Sequence, residues 1–128
     1  MKNETFVALQ LARIHVENLR LRTFIGFNQE ELIKQQDVVI NLWIDYPAHT
    51  ACYSDDHHDA LDYKVITKAV INLVEKGHFK LLEKLCSDIL DIIMAHANVQ
   101  IAQVKVEKPH ALRFADSVSV TLSATQHV

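Results

Sequence analysis

The sequence predicts an α+β domain in which an antiparallel four-stranded sheet carries two helices on one face, in the order strand, strand, helix, helix, strand, strand. One observation is the alternation of Asp37 to Tyr46, where Val38, Ile40, Leu42, Ile44 and Tyr46 share one face of an extended chain. Another is a pair of segments between Asp62 and Ala97 whose apolar residues recur at helical spacing. The third is the grouping of strand-like stretches at both ends of the chain around those helices. A parallel α/β sheet would alternate strand and helix instead.

A chain of 128 residues, 49% of them apolar, is long enough for one domain with a sizeable core and too apolar for disorder. A net charge of -3 gives no electrostatic basis for binding nucleic acid or an anionic membrane, and neither partner is expected. Cys52 and Cys86 stand apart, with no CxxC or zinc-ligand spacing around them. The opening residues have no charged, apolar and small-residue leader, and no apolar run approaches the roughly 18 residues of a membrane span. The expectation is a cytoplasmic protein with reduced thiols.

In chain order, residues 1–11 read as an N-terminal extension, 12–124 as the domain and 125–128 as a short tail. Between Arg13 and Thr23, Ile14 and Val16 share one parity while Leu19 and Leu21 share the other, so the strand is expected to bulge at Glu17-Asn18. Gly26 permits a turn, and Phe27 to Gln36 reads as a polar loop centred on Glu30 and Glu31. The strand Asp37 to Tyr46 carries bulk on its second face too, including Val39 and Trp43, which points to contact with another subunit. Pro47 stops it. Ala48 to Leu61, with Asp55, Asp56, His57, His58 and Asp59, lacks the HxH or HExxH spacing of a metal site and reads as a solvated connector; no metal is expected.

Asp62 is the expected N-cap of the first helix, with Val65, Ile66, Ala69, Val70, Leu73 and Val74 facing inward before Gly77 ends it. Phe79 and Leu82 to Ala97 read as the second helix, with Leu82, Leu85, Cys86, Ile89, Leu90, Ile93 and Ala97 inward. Glu83, in its first turn, fits the positive end of a helix macrodipole. The last strands are Ile101 to Lys108 and Ser117 to Leu122. Lys108 extends the apolar row of Val104 and Val106, and Pro109 then ends the strand, leaving an ammonium at its rim. From the strand alone, this is a lysine snorkelling out of a strand end.

Four segments in unbroken order resemble the dihydroneopterin aldolase family: NLRLRTFIG (Asn18 to Gly26), ALDYKVIT (Ala60 to Thr67), LLEKL (Leu81 to Leu85) and KPHALRFADSVSVTL (Lys108 to Leu122). The resemblance covers roughly residues 12 to 124 and implies the tunnelling fold, in which subunits pool four-stranded sheets into a closed barrel and two rings stack into a homo-octamer. Closure would remove open sheet edges and account for Trp43. The resemblance puts Glu83 at the pterin anchor, completed by the backbone of Leu82, where a carboxylate accepting two parallel hydrogen bonds fixes the ring. It matches Lys108 to the family's catalytic lysine, Tyr63 to a tyrosine supplied across a subunit boundary, and Glu31 to the glutamate of the loop after the first strand.

The implied chemistry is retro-aldol cleavage of a 7,8-dihydropterin side chain, with no Schiff base and no bound cofactor, because the ring's own C=N bond holds the released electrons. Re-addition through the other face of the aldehyde gives a 2'-epimer, and departure of the aldehyde gives aldolase products. The tail His110, Ala111, Leu112 and Arg113 favours inversion at C2' of 7,8-dihydroneopterin triphosphate, giving dihydromonapterin triphosphate. The alternative is cleavage of dihydroneopterin to 6-hydroxymethyl-7,8-dihydropterin and glycolaldehyde in folate synthesis. His110, Arg113, Arg20 and Arg22 are the basic residues nearest the matched segments, and so the candidates for phosphate.

Overall fold

A computed structural model describes residues 11–126. The chain runs β1 (Ala12–Ile25), α1 (Gln29–Ile33), β2 (Gln36–Tyr46), α2 (His49–Ser54), a 3-10 turn (His57–Asp59), α3 (Tyr63–Lys76), β3 (His78–Phe79), α4 (Leu82–Met94), β4 (Ile101–Lys108) and β5 (Val118–Thr125). The α+β class stands, but the simple ββααββ order needs four additions. One turn of helix occupies the expected polar loop, a second short helix and the 3-10 turn occupy the expected solvated connector, and a two-residue strand follows α3. The sheet is consequently five-stranded and mixed, in the order β3-β1-β2-β4-β5. Its four long strands pair antiparallel, while β3 lies parallel against Phe24 and Ile25 at the end of β1. The proposed extension at residues 1–11 lies outside the described residues except for Leu11, and β5 reaches Thr125, one residue into the expected tail.

The parity change in β1 is a bulge. Register against β2 shifts between Val16 and Leu19, and Asn18 takes a left-handed φ of 52°. Before the shift Ile14 faces Ile44 and Val16 faces Leu42; after it Leu19 faces Ile40 and Leu21 faces Val38. Ile14, Val16, Leu19 and Leu21 therefore all reach the helix-covered face. Asn41 of β2 clasps the bulge: its Oδ1 accepts the Asn18 backbone N–H at 3.0 Å, and its Nδ2 donates to Asn18 Oδ1 at 3.2 Å. His15 Nε2 sits 2.9 Å from the same Asn41 Oδ1.

The core lies between this face and α3 and α4, where Ile40, Leu42, Ile44, Ile66, Val70, Leu85, Ile89, Val104 and Val106 are all fully buried. Asp62 caps α3 as expected, accepting from the N–H groups of Lys64 and Val65. Three inward assignments are corrected, since Val65, Ala69 and Ala97 are exposed. The buried stripe of α3 is only Ile66, Val70 and Val74, a single i, i+4 row, because one sheet and one neighbouring helix cover it. Phe79 is buried from β3 rather than from a helix, and α4 ends at Met94, before Ala97 can turn inward. No helix among the described residues is long and apolar enough to cross a membrane.

Among the described residues, no helix covers the other face of the sheet. Arg13 and Asp45, directly opposed, make a two-pronged ion pair at 2.8 and 3.1 Å. His15 stacks on Trp43 with ring centroids 4.7 Å apart, and Lys105 lies 3.3 Å from Glu107. Because Asn41 is buried and satisfies an otherwise orphaned N–H, Asn41→Ala should destabilise the fold by about 1–3 kcal/mol. Denaturant unfolding should show a lower midpoint at unchanged slope. A loss below about 0.5 kcal/mol, typical of indifferent surface positions, would show that water replaces the clasp.

Candidate active site

Lys108 is the last residue of β4, paired with Val118 across the ladder. The expected rim ammonium is not free: its Nζ donates to Glu31 Oε2 at 2.5 Å, and the two side chains keep only 17% and 18% of their exposure. Glu31 stands in α1 as the third residue of a capping box. Its N–H donates to Asn28 Oδ1 at 2.8 Å, and its Oε1 accepts from the Asn28 and Phe27 N–H groups at 3.4 and 3.3 Å. Beneath it lies Gly26 at φ 126°, where an added Cβ would overlap the Glu31 carboxylate. Only glycine allows that backbone and that close approach together. The Lys108 hydrogen bond holds the Glu31 carboxyl below the ordinary carboxylate range, opposed by partial burial and assisted by the backbone N–H groups.

The pair opens onto a polar cleft of about 370 Å³ that is also lined by Arg22, Asn28, Glu30, Gln35, Gln36, Asp37, His110 and Ala111. The single chain thus gathers Glu31, Lys108 and His110. It does not gather the rest. Tyr63, the first residue of α3 and 48% exposed, lines a separate, largely apolar cleft of about 570 Å³ with Ile14, His15, Val16 and Thr67. Glu83 is exposed in the first turn of α4 beside buried Leu82, and neither lines either cleft. Arg113 lies in the exposed loop after β4 with its guanidinium 5.5 Å from the Phe114 ring, outside both clefts. Gly26 and Asn28 were missed as site residues. Their signal was present as Asn28-x-x-Glu31 after a glycine, the spacing of a capping box.

The Asp56–His58 turn brings three donor atoms within 4.8 Å of one another, closer than the lack of HxH spacing implies. Those donors serve the turn itself. Asp56 Oδ1 accepts the His58 N–H and also contacts His58 Nδ1, both at 2.9 Å, and all three residues are exposed.

The dihydroneopterin aldolase family pattern, FolB, matches residues 14–123, and the chain belongs to that family. It is 54% identical over 113 residues to a dihydroneopterin triphosphate 2'-epimerase of Pseudomonas aeruginosa, spanning 88% of this chain and 92% of the relative. It is 53% identical over 117 residues to the protein of the same name in Escherichia coli K12, spanning 91% and 98%. Among solved structures, E. coli dihydroneopterin aldolase in complex with neopterin superposes with a TM-score of 0.83 at 27% identity, covering 88% of this chain and 98% of that one.

Because Glu31 is ionised more readily in the fold than its ordinary value of 4.5, its pairing stabilises the protein above that pH and is lost as pH falls through the depressed folded value. Wild type should therefore be more stable than Glu31→Gln at neutral pH, and the gap should close in acid below the ordinary value. Thermal unfolding from pH 7 to pH 3 measures it. A gap independent of pH would assign the stabilisation to something other than the carboxylate.

Proposed function

We propose that this chain is an enzyme inverting C2' of 7,8-dihydroneopterin triphosphate, with aldolase cleavage as its side reaction. The observation that carries the proposal is an acid-base pair, Lys108 and Glu31, held at a polar cleft in a chain about twice as similar to named 2'-epimerases as to the E. coli aldolase. The dihydropterin brings its own electron sink, so the protein's work is positioning and proton transfer. Lys108, in its neutral amine form and through a water, takes the 2'-hydroxyl proton as the C1'-C2' bond breaks, and the resulting ammonium returns it after the aldehyde has turned over. Glu31 orients the side-chain hydroxyls and Tyr63 shares the proton transfer. Glu83 and the Leu82 backbone anchor the pterin edge. His110 and Arg113 belong to the phosphate side of the substrate.

Lys108 and Tyr63 open onto different clefts of one chain, and among the described residues no helix covers the sheet face carrying Trp43. Both features support sites completed by a second copy in a homo-octameric barrel. Sedimentation at micromolar concentration should show a species far heavier than 14.6 kDa, and a clean monomer would overturn this assembly.

Turnover tests the chemistry. Lys108→Ala should lower it by roughly 100-fold or more while pterin binding survives, as loss of a positioned acid-base group does. Glu83→Ala should fail mainly in binding, because it strips two ring donors of their acceptor. In heavy water the epimer should carry no deuterium at C2', since that hydrogen stays on carbon as the aldehyde C–H. Released 6-hydroxymethyl-7,8-dihydropterin should carry one at the former C1'. Deuterium at C2' of the epimer would rule out the retro-aldol route, and release of aldolase products alone would favour the second reading.

A further inference from the structure

The cleft holding Lys108 and Glu31 does not end at His110. A second cleft of about 480 Å³ shares Arg22, Asp37 and His110 with it and continues along the uncovered sheet face past Arg20, Val39 and Pro109. Arg20 and Arg22 alternate on β1, so both project from that face about 7 Å apart along the strand. They point this way because the bulge at Asn18 has changed the strand's parity. Their surroundings differ. Arg22 is held in place by Asp37 at 3.5 Å and by donation to the Gln35 carbonyl at 2.9 Å. Arg20 lies opposite Val39, an apolar residue, and has no carboxylate partner among the described residues.

His110 joins them through a tight turn. The Ala111 N–H donates to the Lys108 carbonyl at 3.4 Å, with Pro109 and His110 as the central residues. The turn ties an imidazole two residues from Lys108, at the junction of the two clefts. The carboxylates nearby are already engaged, Glu31 by Lys108, Asp37 by Arg22 and Glu30 by Lys34 at 3.7 Å. A chain of phosphates leaving the Lys108 cleft would thus meet His110, then Arg22, then an uncompensated Arg20. Guanidinium groups suit that ligand because their planar forks pair with phosphate oxygens two at a time.

Resting on the functional reading above, we infer that Arg20, Arg22 and His110 form the polyphosphate subsite and that Arg20 sets the preference for the phosphorylated pterin. Arg113, turned onto Phe114 outside both clefts, contributes less within a subunit.

The experiment compares kcat/KM on dihydroneopterin triphosphate and on dihydroneopterin for the full-length protein and its Arg20→Gln and Arg20→Lys variants. Calorimetric binding of inorganic triphosphate to each accompanies it. Arg20→Gln should lose roughly tenfold more on the phosphorylated substrate than on the other, as removal of one charged hydrogen-bond donor does. Arg20→Lys should recover part of the loss, and inorganic triphosphate should bind Arg20→Gln correspondingly more weakly. Lys84→Gln, on the exposed side of α4, should leave the substrate ratio unchanged. Equal losses on both substrates, or undiminished binding of inorganic triphosphate, would overturn the subsite while leaving the epimerase reading intact. If wild type gave no epimer yet bound inorganic triphosphate through Arg20, the functional reading would fail and the subsite would stand.

Discussion

The clasp between Asn41 and the bulge at Asn18 is the constraint on which the sheet depends. Without a bulge, one half of β1 would turn its apolar residues to the uncovered face. Two half-buried aliphatic side chains contribute about 2–3 kcal/mol, against about 1–2 kcal/mol for one residue in the left-handed region, a cost that asparagine lowers. The bulge therefore wins. Its effects reach past the core, because the same phase change sends Arg20 and Arg22 outward and delivers Gly26 to the place where it turns under Glu31.

Electrostatics then hold together a segment that propensity alone would not. The five residues of α1 are far too few for an independent helix. The helix persists because its capping box satisfies its first N–H groups and because Lys108, 77 residues away, fastens Glu31 to the end of β4. The ion pair is mostly shielded yet lines a polar cleft, so under the proposed function the groups that fix the loop also face the substrate. A substrate hydroxyl entering between them would compete with a bond that also orders the loop.

The long elements were legible because each has one solution to burying its apolar row. Val38, Ile40, Leu42 and Ile44 admit no other face, and the parity switch between Val16 and Leu19 located the bulge within a residue. The short elements were not. α2 has no side-chain cap at Ala48 to announce it, and β3 is two residues long and paired in parallel, so Phe79 looked like a helical residue. Val65 and Ala69 continue an apolar period past the edge of what the sheet covers, and periodicity does not say where cover ends. At the site, Lys108 was visible as a cation in an apolar row. Its bond to Glu31 spans too much chain for any local pattern. Tyr63 and Glu83 entered as candidates only through family resemblance, and neither lines the Lys108 cleft of this chain.

Cys86 sits between α4 and the sheet, fully buried, its Sγ 3.4 Å from the Val120 carbonyl, and burial pushes its thiol up to about 11. A thiol so rarely ionised and so enclosed is a poor target for oxidants and alkylating reagents, while exposed Cys52 is open to them. The folded chain therefore presents one fast-reacting sulfur and one silent one. Slow labelling of the silent sulfur would time the moments when α4 lifts from β5, making the core its own clock for opening.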